Sequence, residues 1–247
     1  GPHGEPETAS EPAATQRVYH MSKENPREEI EQAIESGDLE RLLVLSGMIH
    51  GHYCPFSALG VKAGARAMRE LAASSTGMED LVAVVETNNC FSDGVQLVTG
   101  CTFGNNALIY RDYGKTAFTL AHRDGQGIRL AVLADRVMEQ QPDETRARFE
   151  KVIVRREGTP EEEEQMTAVW RDFSFQVLVL PDEEVFDIQE VQAELPSFAR
   201  IFESVTCSVC GESVMEPRIR MKNGEPVCLP CSEQEYYLLT GDGISVG

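Results

Sequence analysis

Positive charge is scarce in this chain: 22 Lys and Arg stand against 41 Asp and Glu, a formal net charge of −19. Most of such a surface repels phosphate, which disfavours non-specific nucleic-acid binding. Long apolar runs are missing too, none approaching the roughly 18–20 residues of a membrane span. With no signal peptide to read, the expectation is a soluble cytoplasmic protein with no membrane partner. No internal repeat is evident, and Trp170 is the single tryptophan. The 247 residues allow one sizeable domain plus a small appendage, or two modest domains.

What the chain does have is seven cysteines, Cys54, Cys90, Cys101, Cys207, Cys210, Cys228 and Cys231. Four of them at metal spacing, without a signal peptide, point to metal thiolates in a reducing compartment rather than to a disulfide framework.

The N-terminal stretch, Gly1 to about Tyr19, is rich in Pro, Ala, Glu and Thr and carries almost no apolar periodicity. Gly1-Pro2 has the form of a cleaved-tag scar, and residues 1–24 are read as a disordered tail or tag remnant. From Pro26 to about Leu45, apolar residues at helical spacing broken at Gly37-Asp38 predict two short helices. Pro55 to about Ala73 is the clearest helix, and its small residues Ala58, Gly60, Gly64 and Ala65 permit close approach or plain tight packing. Leu81 to Val85 predicts a buried strand ending in a polar cluster at Glu86–Cys90, the kind of strand end where ligands sit.

Asp93–Thr99 reads as a helical turn. Three strands are expected at Ala107–Tyr110, Lys115–Ala121 and Ile128–Leu133, with hairpin signals at Asp112-Tyr113-Gly114 and Asp124-Gly125-Gln126-Gly127. Helices are expected at Asp135–Glu139, Asp143–Arg156 and from Pro160, the last opened by the acidic run Glu161–Glu164. Phe175–Leu180 and Val185–Val191 read as strand pieces.

Near the C-terminus, Cys207-x2-Cys210-Gly211 and Cys228-x2-Cys231 are 17 residues apart, the spacing of a four-cysteine zinc site. A knuckle, a hairpin over Val214–Val227 turning at Asn223-Gly224, and a short helical pattern through Leu239 give the order of a treble clef. About 40 residues bury too little apolar surface to fold alone, so a structural zinc supplies much of the stability. Arg218, Arg220 and Lys222 are too few to argue for nucleic acid.

The motif His50-Gly-His52-Tyr-Cys54-Pro55 places two imidazoles and a thiol at a helix start, where Cys54 is the N-cap and Pro55 the first helical residue. Unpaired N–H groups there favour a thiolate. Alone, each Cys or His has a plain reading as a small buried hydrophobe or a satisfied polar residue. Crowding argues otherwise, because in an extended loop His50, His52 and Cys54 converge, and His52 and Cys54 are the favoured pair. Cys90 and Cys101 would complete a mixed nitrogen/sulfur site if the strand end folds back.

The stretches GHYCPFSALGVKAG, ETNNCFSDGVQLVTGCTFGNNALIYRDYGKTAFTL and RIFESVTCSVCGESVMEPRIRMKNGEPVCLPC together resemble the formylmethanofuran dehydrogenase E-subunit family, over about Glu28 to Cys231. Phe56 departs from the family's Gly-His-x-Cys-Pro-Gly pattern. The resemblance implies an α+β core with a treble-clef zinc finger, usually dimeric, and a second metal of unknown identity in a core cleft. Onto that cleft map His50, His52, Cys54, Cys90 and Cys101, with Asp93, Tyr113 and Lys115 as neighbours. It does not imply a reaction, and the chain has no ferredoxin-type cysteine run and no recognisable molybdopterin signature.

The expectation is an α+β protein in which helices pack on a mostly antiparallel sheet, with a core at residues 25–200 and a small treble-clef finger at 201–247. Its expected role is metal binding in association with a molybdenum, tungsten or related C1 oxidoreductase, the core ligands being His50, His52, Cys54 and Cys90, with Cys90, Cys101 and Tyr113 near the bound group. Two alternatives stand beside it. One is a metal- or thiol-dependent enzyme using Cys54, with Lys115 or Asp93 for acid/base work; the other is a structural adapter.

Overall fold

The computed structural model describes residues 25–141 and 143–247; the tail expected at 1–24 lies outside the described residues. Two short helices open the chain, α1 (Glu28–Ser36) and α2 (Leu39–His50). The Gly37-Asp38 break works as a double cap. Gly37 takes φ +72°, and the Asp38 side chain accepts from the Arg41 N–H at 3.0 Å. Helix α2 runs to His50, past the expected end near Leu45, because Leu39, Leu42, Leu43 and Ser46 keep one face on the core.

Helix α3 (Pro55–Glu70) is buried along nearly its whole length, and β1 (Leu81–Val85) is buried on both faces, as its unbroken apolar run requires. Helix α4 (Phe91–Thr99) crosses α3 at backbone contact. A Cβ on Gly60 would lie 2.0 Å from the Phe91 carbonyl oxygen, and one on Gly94 would lie 2.4 Å from that of Ser57. The small residues of α3 thus exist for α4, and the crossing sets the start of one helix beside the start of the other.

The sheet continues with β2 (Leu108–Tyr110), β3 (Ala117–His122), β4 (Gln126–Val132) and β5 (Phe186–Gln192) in the order β2-β1-β3-β4-β5. Only the β1–β2 pair is parallel, so the sheet is mostly antiparallel as expected. Between β4 and β5 run α5 (Ala134–Glu139), α6 (Asp143–Phe149), a π-helical turn at Glu150–Val154, α7 (Pro160–Leu178) and α8 (Asp182–Val185). A Thr159/Glu162 capping box and Pro160 start α7, which packs on α3. The buried Lys62 Nζ ties α3 to the end of α7 through the Leu178 carbonyl at 3.0 Å and to Asp182 at 2.9 Å. Phe91, Phe118, Leu42, Leu59, Met68 and Leu130 fill the core, each contributing roughly 1.5–3 kcal/mol by its burial.

Beyond β5 the chain is extended and strapped to the core by Arg111 (to Glu194 O, 3.2 Å), Arg123 (to Pro196 O, 2.8 Å) and Glu79 (from Ala199 N, 3.1 Å). The C-terminal part holds three small hairpins: β6 (Ser204–Thr206) with β7 (Ser213–Met215), β8 (Arg220–Lys222) with β9 (Glu225–Val227), and β10 (Tyr237–Thr240) with β11 (Gly243–Val246). Helix α9 (Leu229–Ser232) lies before the last.

Several sequence expectations are corrected. Asp112-Tyr113-Gly114 joins no hairpin, since β1 lies between β2 and β3. Phe175–Leu178 is the C-terminal end of α7 and Val179–Leu180 the turn after it, because Met166, Phe173 and Val177 bury one stripe at helical spacing. The expected helix over Asp143–Arg156 splits into α6 and the π turn. The hairpin at Asn223-Gly224 is confined to residues 220–227, because Val214 pairs instead with Val205. The helix after Cys228 ends at Ser232, and Tyr237–Leu239 is strand.

Candidate metal centres

The core cluster forms where three element ends meet: the last residue of α2, the N-cap of α3 and the N-cap of α4. Gly51 at φ +85° turns the chain out of α2. Cys54 is extended and caps α3, its Sγ accepting from the Ser57 N–H at 3.3 Å while Ser57 Oγ donates to the Cys54 carbonyl at 2.9 Å. Cys90 stands before α4 in a loop fastened by Phe91 N to Asn89 Oδ1 at 3.0 Å and Ser92 Oγ to Thr87 O at 2.7 Å. His50 Nε2 lies 3.9 Å from Cys54 Sγ, and its Nδ1 lies 2.7 Å from Asp93 Oδ2. One ligand atom from each of His50, Cys54 and Cys90 falls within 4.8 Å of the others.

The electrostatics follow from these contacts. The Cys90 thiol donating to its sulfur, then the Ser57 N–H and neighbouring His50, pull the Cys54 thiol down to about 5 against the opposing effect of burial. Cys90 moves the other way, raised by the hydrogen bond it gives Cys54 and by desolvation. One nitrogen and two sulfurs backed by a carboxylate on the far ring nitrogen are the donor set of a zinc-type site. Cys54 is fully buried and Cys90 half-buried, so the cluster meets solvent on the Cys90 side.

The remaining candidates lie elsewhere. His52 is exposed, with its ring against that of His50 at a centroid distance of 4.4 Å, and is not in the cluster. Cys101 follows the other end of α4, buried with Sγ 3.5 Å from Leu81 O, and desolvation pushes its thiol up to about 11. It behaves as a small core residue. Lys115 and Tyr113 are exposed on the β2–β3 connection, where the Lys115 N–H donates to Glu86 O at 3.0 Å. Sequence reasoning missed Ser57 and Gln96, and it ranked His52 above His50. The α2 pattern Leu39, Leu42, Leu43, Ser46, carried one more turn, puts His50 on the inward face.

In the C-terminal cluster the sulfurs of Cys207, Cys210, Cys228 and Cys231 all lie within 4.8 Å of one another, Cys210 to Cys228 at 3.9 Å. Four thiolates about 2.3 Å from a tetrahedral ion stand roughly 3.8 Å apart, so the set fits zinc with no position left open. Gly211 at φ +76° turns the knuckle, and the Cys228 N–H donates to Cys207 Sγ at 3.3 Å. The backbone N–H groups of Cys210 and Cys228 draw the Cys207 thiol down to about 6, while the neighbouring Cys228 thiol and desolvation push Cys231 up to about 12.

The last hairpin is tied to the core. Asn88, two residues before Cys90, donates to Thr240 O at 2.6 Å, and Asp112 accepts from the Ile244 N–H at 2.8 Å and from Tyr110 Oη at 2.7 Å. No helix among the described residues is long and apolar enough to cross a membrane.

Comparison with known proteins bears on both clusters. A prokaryotic dksA/traR C4-type zinc-finger model matches residues 200–237, so the four-cysteine cluster belongs to a zinc-finger domain. A protein of Archaeoglobus fulgidus described as a probable S-adenosyl-L-methionine-binding protein is 41% identical over 219 residues, covering 87% of this chain. The chain spans 58% of that relative's length. A solved tungsten formylmethanofuran dehydrogenase FmdE-like protein from Syntrophus aciditrophicus superposes with a TM-score of 0.52 at 21% identity, over 78% of this chain and 91% of that one, a likeness of fold. The family model described as FmdE, molybdenum formylmethanofuran dehydrogenase operon, matches residues 49–187, more than half the chain and the whole of the core cluster, and the chain belongs to that family.

Proposed function

We propose that this chain is a cytoplasmic, dimeric metal-binding protein that serves a molybdenum, tungsten or related C1-metabolism oxidoreductase, as an accessory component or in cofactor handling. In this reading His50, Cys54 and Cys90 hold a metal in the core, and a treble-clef finger holds a structural zinc. The observation that carries it is the convergence of three soft ligand atoms within 4.8 Å with the Asp93 carboxylate behind the imidazole. The Cys90 thiol and the Ser57 N–H both favour the thiolate form of Cys54, and burial keeps competing water from it. A metal bound there supplies a Lewis acid. The half-buried Cys90 marks the side from which a small molecule or a partner reaches it. Adding wild-type chain to a formylmethanofuran dehydrogenase isolated without it should raise that enzyme's activity or its metal loading, and Cys54→Ala should not. Equal effects of the two proteins, or none from either, would remove the service role.

The adjacent Cys54 and Cys90 sulfurs favour a second reading, thiol chemistry in its own right. Alkylation of Cys54 should then be fast at neutral pH in the metal-free chain; a rate typical of a buried thiol would count against it. The name of the Archaeoglobus relative supplies a small-molecule ligand to test, and saturable binding of S-adenosyl-L-methionine by this chain would redirect the proposal.

A further inference from the structure

We infer that Asp93 and Gln96 form a positioning relay for the core metal site, Asp93 orienting His50 and Gln96 holding Asp93. The inference rests on the metal-site reading above and deepens it. A carboxylate oxygen only accepts, so Asp93 Oδ2 at 2.7 Å takes the hydrogen of His50 Nδ1. That leaves the Nε2 lone pair on the side of the sulfurs, where it lies 3.9 Å from Cys54 Sγ. The other carboxylate oxygen, Oδ1, accepts from Gln96 Nε2 at 3.4 Å. Gln96 in turn accepts the Phe103 N–H on its Oε1 at 3.3 Å, which fixes which end of the amide faces Asp93.

The far anchor is rigid. Thr102 N donates to Asn105 Oδ1 at 2.9 Å and Asn105 Nδ2 to Gly100 O at 2.7 Å, locking the loop that presents the Phe103 N–H. Asp93 and Gln96 sit three residues apart on one face of α4, so one helix carries the whole relay. Complementary charge at helix ends explains an acid in the first turn of α4 and an imidazole in the last turn of α2. It does not explain why both carboxylate oxygens are engaged, nor why the free ring nitrogen faces two thiols. With both oxygens held, Asp93 is a positioning residue rather than the acid or base expected from the sequence. A carboxylate on the far nitrogen makes a ligating imidazole more basic, and losing such a partner typically costs 10–100-fold in metal affinity.

The test is cobalt(II) titration of the metal-free full-length chain, read by visible absorption. The spectrum of Cys54→Ala, which retains only the finger site, is subtracted to isolate the core bands. Asp93→Ala should weaken core cobalt binding by about 10–100-fold and shift the core bands, with the finger bands unchanged as internal control. Asp93→Asn, which still accepts from Nδ1, should recover part of the affinity, and Gln96→Ala should lose less than Asp93→Ala. Core bands and affinity in Asp93→Ala equal to wild type would overturn the relay alone. Equal losses in Asp93→Asn and Asp93→Ala, accompanied by lost helix content, would reduce Asp93 to a structural role and overturn it too. No core band in the wild type would overturn the metal reading and the relay with it.

Discussion

Gly60 of α3 and Gly94 of α4 meet at backbone contact: a Cβ on Gly94 would stand 2.8 Å from the Gly60 carbonyl carbon. This contact sets the distance between the two helix starts, and so between Cys54 and Cys90. Gly94→Ala must push α4 off α3. The expected cost is roughly 1–3 kcal/mol in urea denaturation, with core metal affinity falling while finger zinc stays. Wild-type stability and wild-type core affinity in this variant would mean that the crossing does not position the site.

The Glu86–Arg129 pair makes stability depend on pH in a known direction. Two hydrogen bonds, at 2.7 and 2.9 Å, with the guanidinium hold the Glu86 carboxyl below its ordinary 4.5. A group with a depressed folded-state value contributes fully above the unfolded value, and loses that contribution as pH falls through the folded one. Glu86→Gln should therefore be less stable than wild type by roughly 1–3 kcal/mol at pH 7, the gap closing as the pH falls below the ordinary value of 4.5 and through the lower folded-state one. A gap independent of pH from 3 to 7 would contradict this.

Loss of zinc should unfold the finger and spare the core. Cys207→Ala, or chelation of the wild type, is expected to abolish hydrogen-exchange protection in β6–β9 and α9 while β1, β3 and α3 keep theirs. Global unfolding by the same treatment would show that the two parts are not separate.

Asp112 holds the last hairpin to the core through Ile244 N, and Asn88, two residues before Cys90, donates to Thr240 O of the same hairpin. Asp112→Ala should raise hydrogen exchange in β10–β11 and speed chelator removal of the core metal, leaving metal stoichiometry unchanged. An unaltered removal rate would mean that the hairpin does not restrict access near Asn88.

Much of this was legible in the residues, and what was not has a physical cause. Cys54-Pro55 announced a capped helix start, and Gly37-Asp38 a break between two short helices, because both signals are local. The four finger cysteines carried their own geometry in their spacing. The identity of the histidine depended on where α2 stops: an extended loop makes His52 the equal of His50, whereas one further helical turn turns only His50 inward. Cys101 misled because Cys90 and Cys101 are near in sequence, yet α4 lies between them and carries them to opposite ends. Phe175–Leu180 is apolar enough for a strand, and what makes its first four residues helix lies upstream, in the Thr159/Glu162 capping box and the stripe that Met166 and Phe173 begin.

The central claim is that His50, Cys54 and Cys90 bind a metal distinct from the finger zinc. Elemental analysis of anaerobically purified wild type and Cys54→Ala tests it most directly. Two metals per chain in the wild type and one, zinc, in Cys54→Ala is the predicted result. One metal per chain in both would contradict it, and would leave the core cluster as one buried and one half-buried thiol beside the hydrogen-bonded His50 and Asp93.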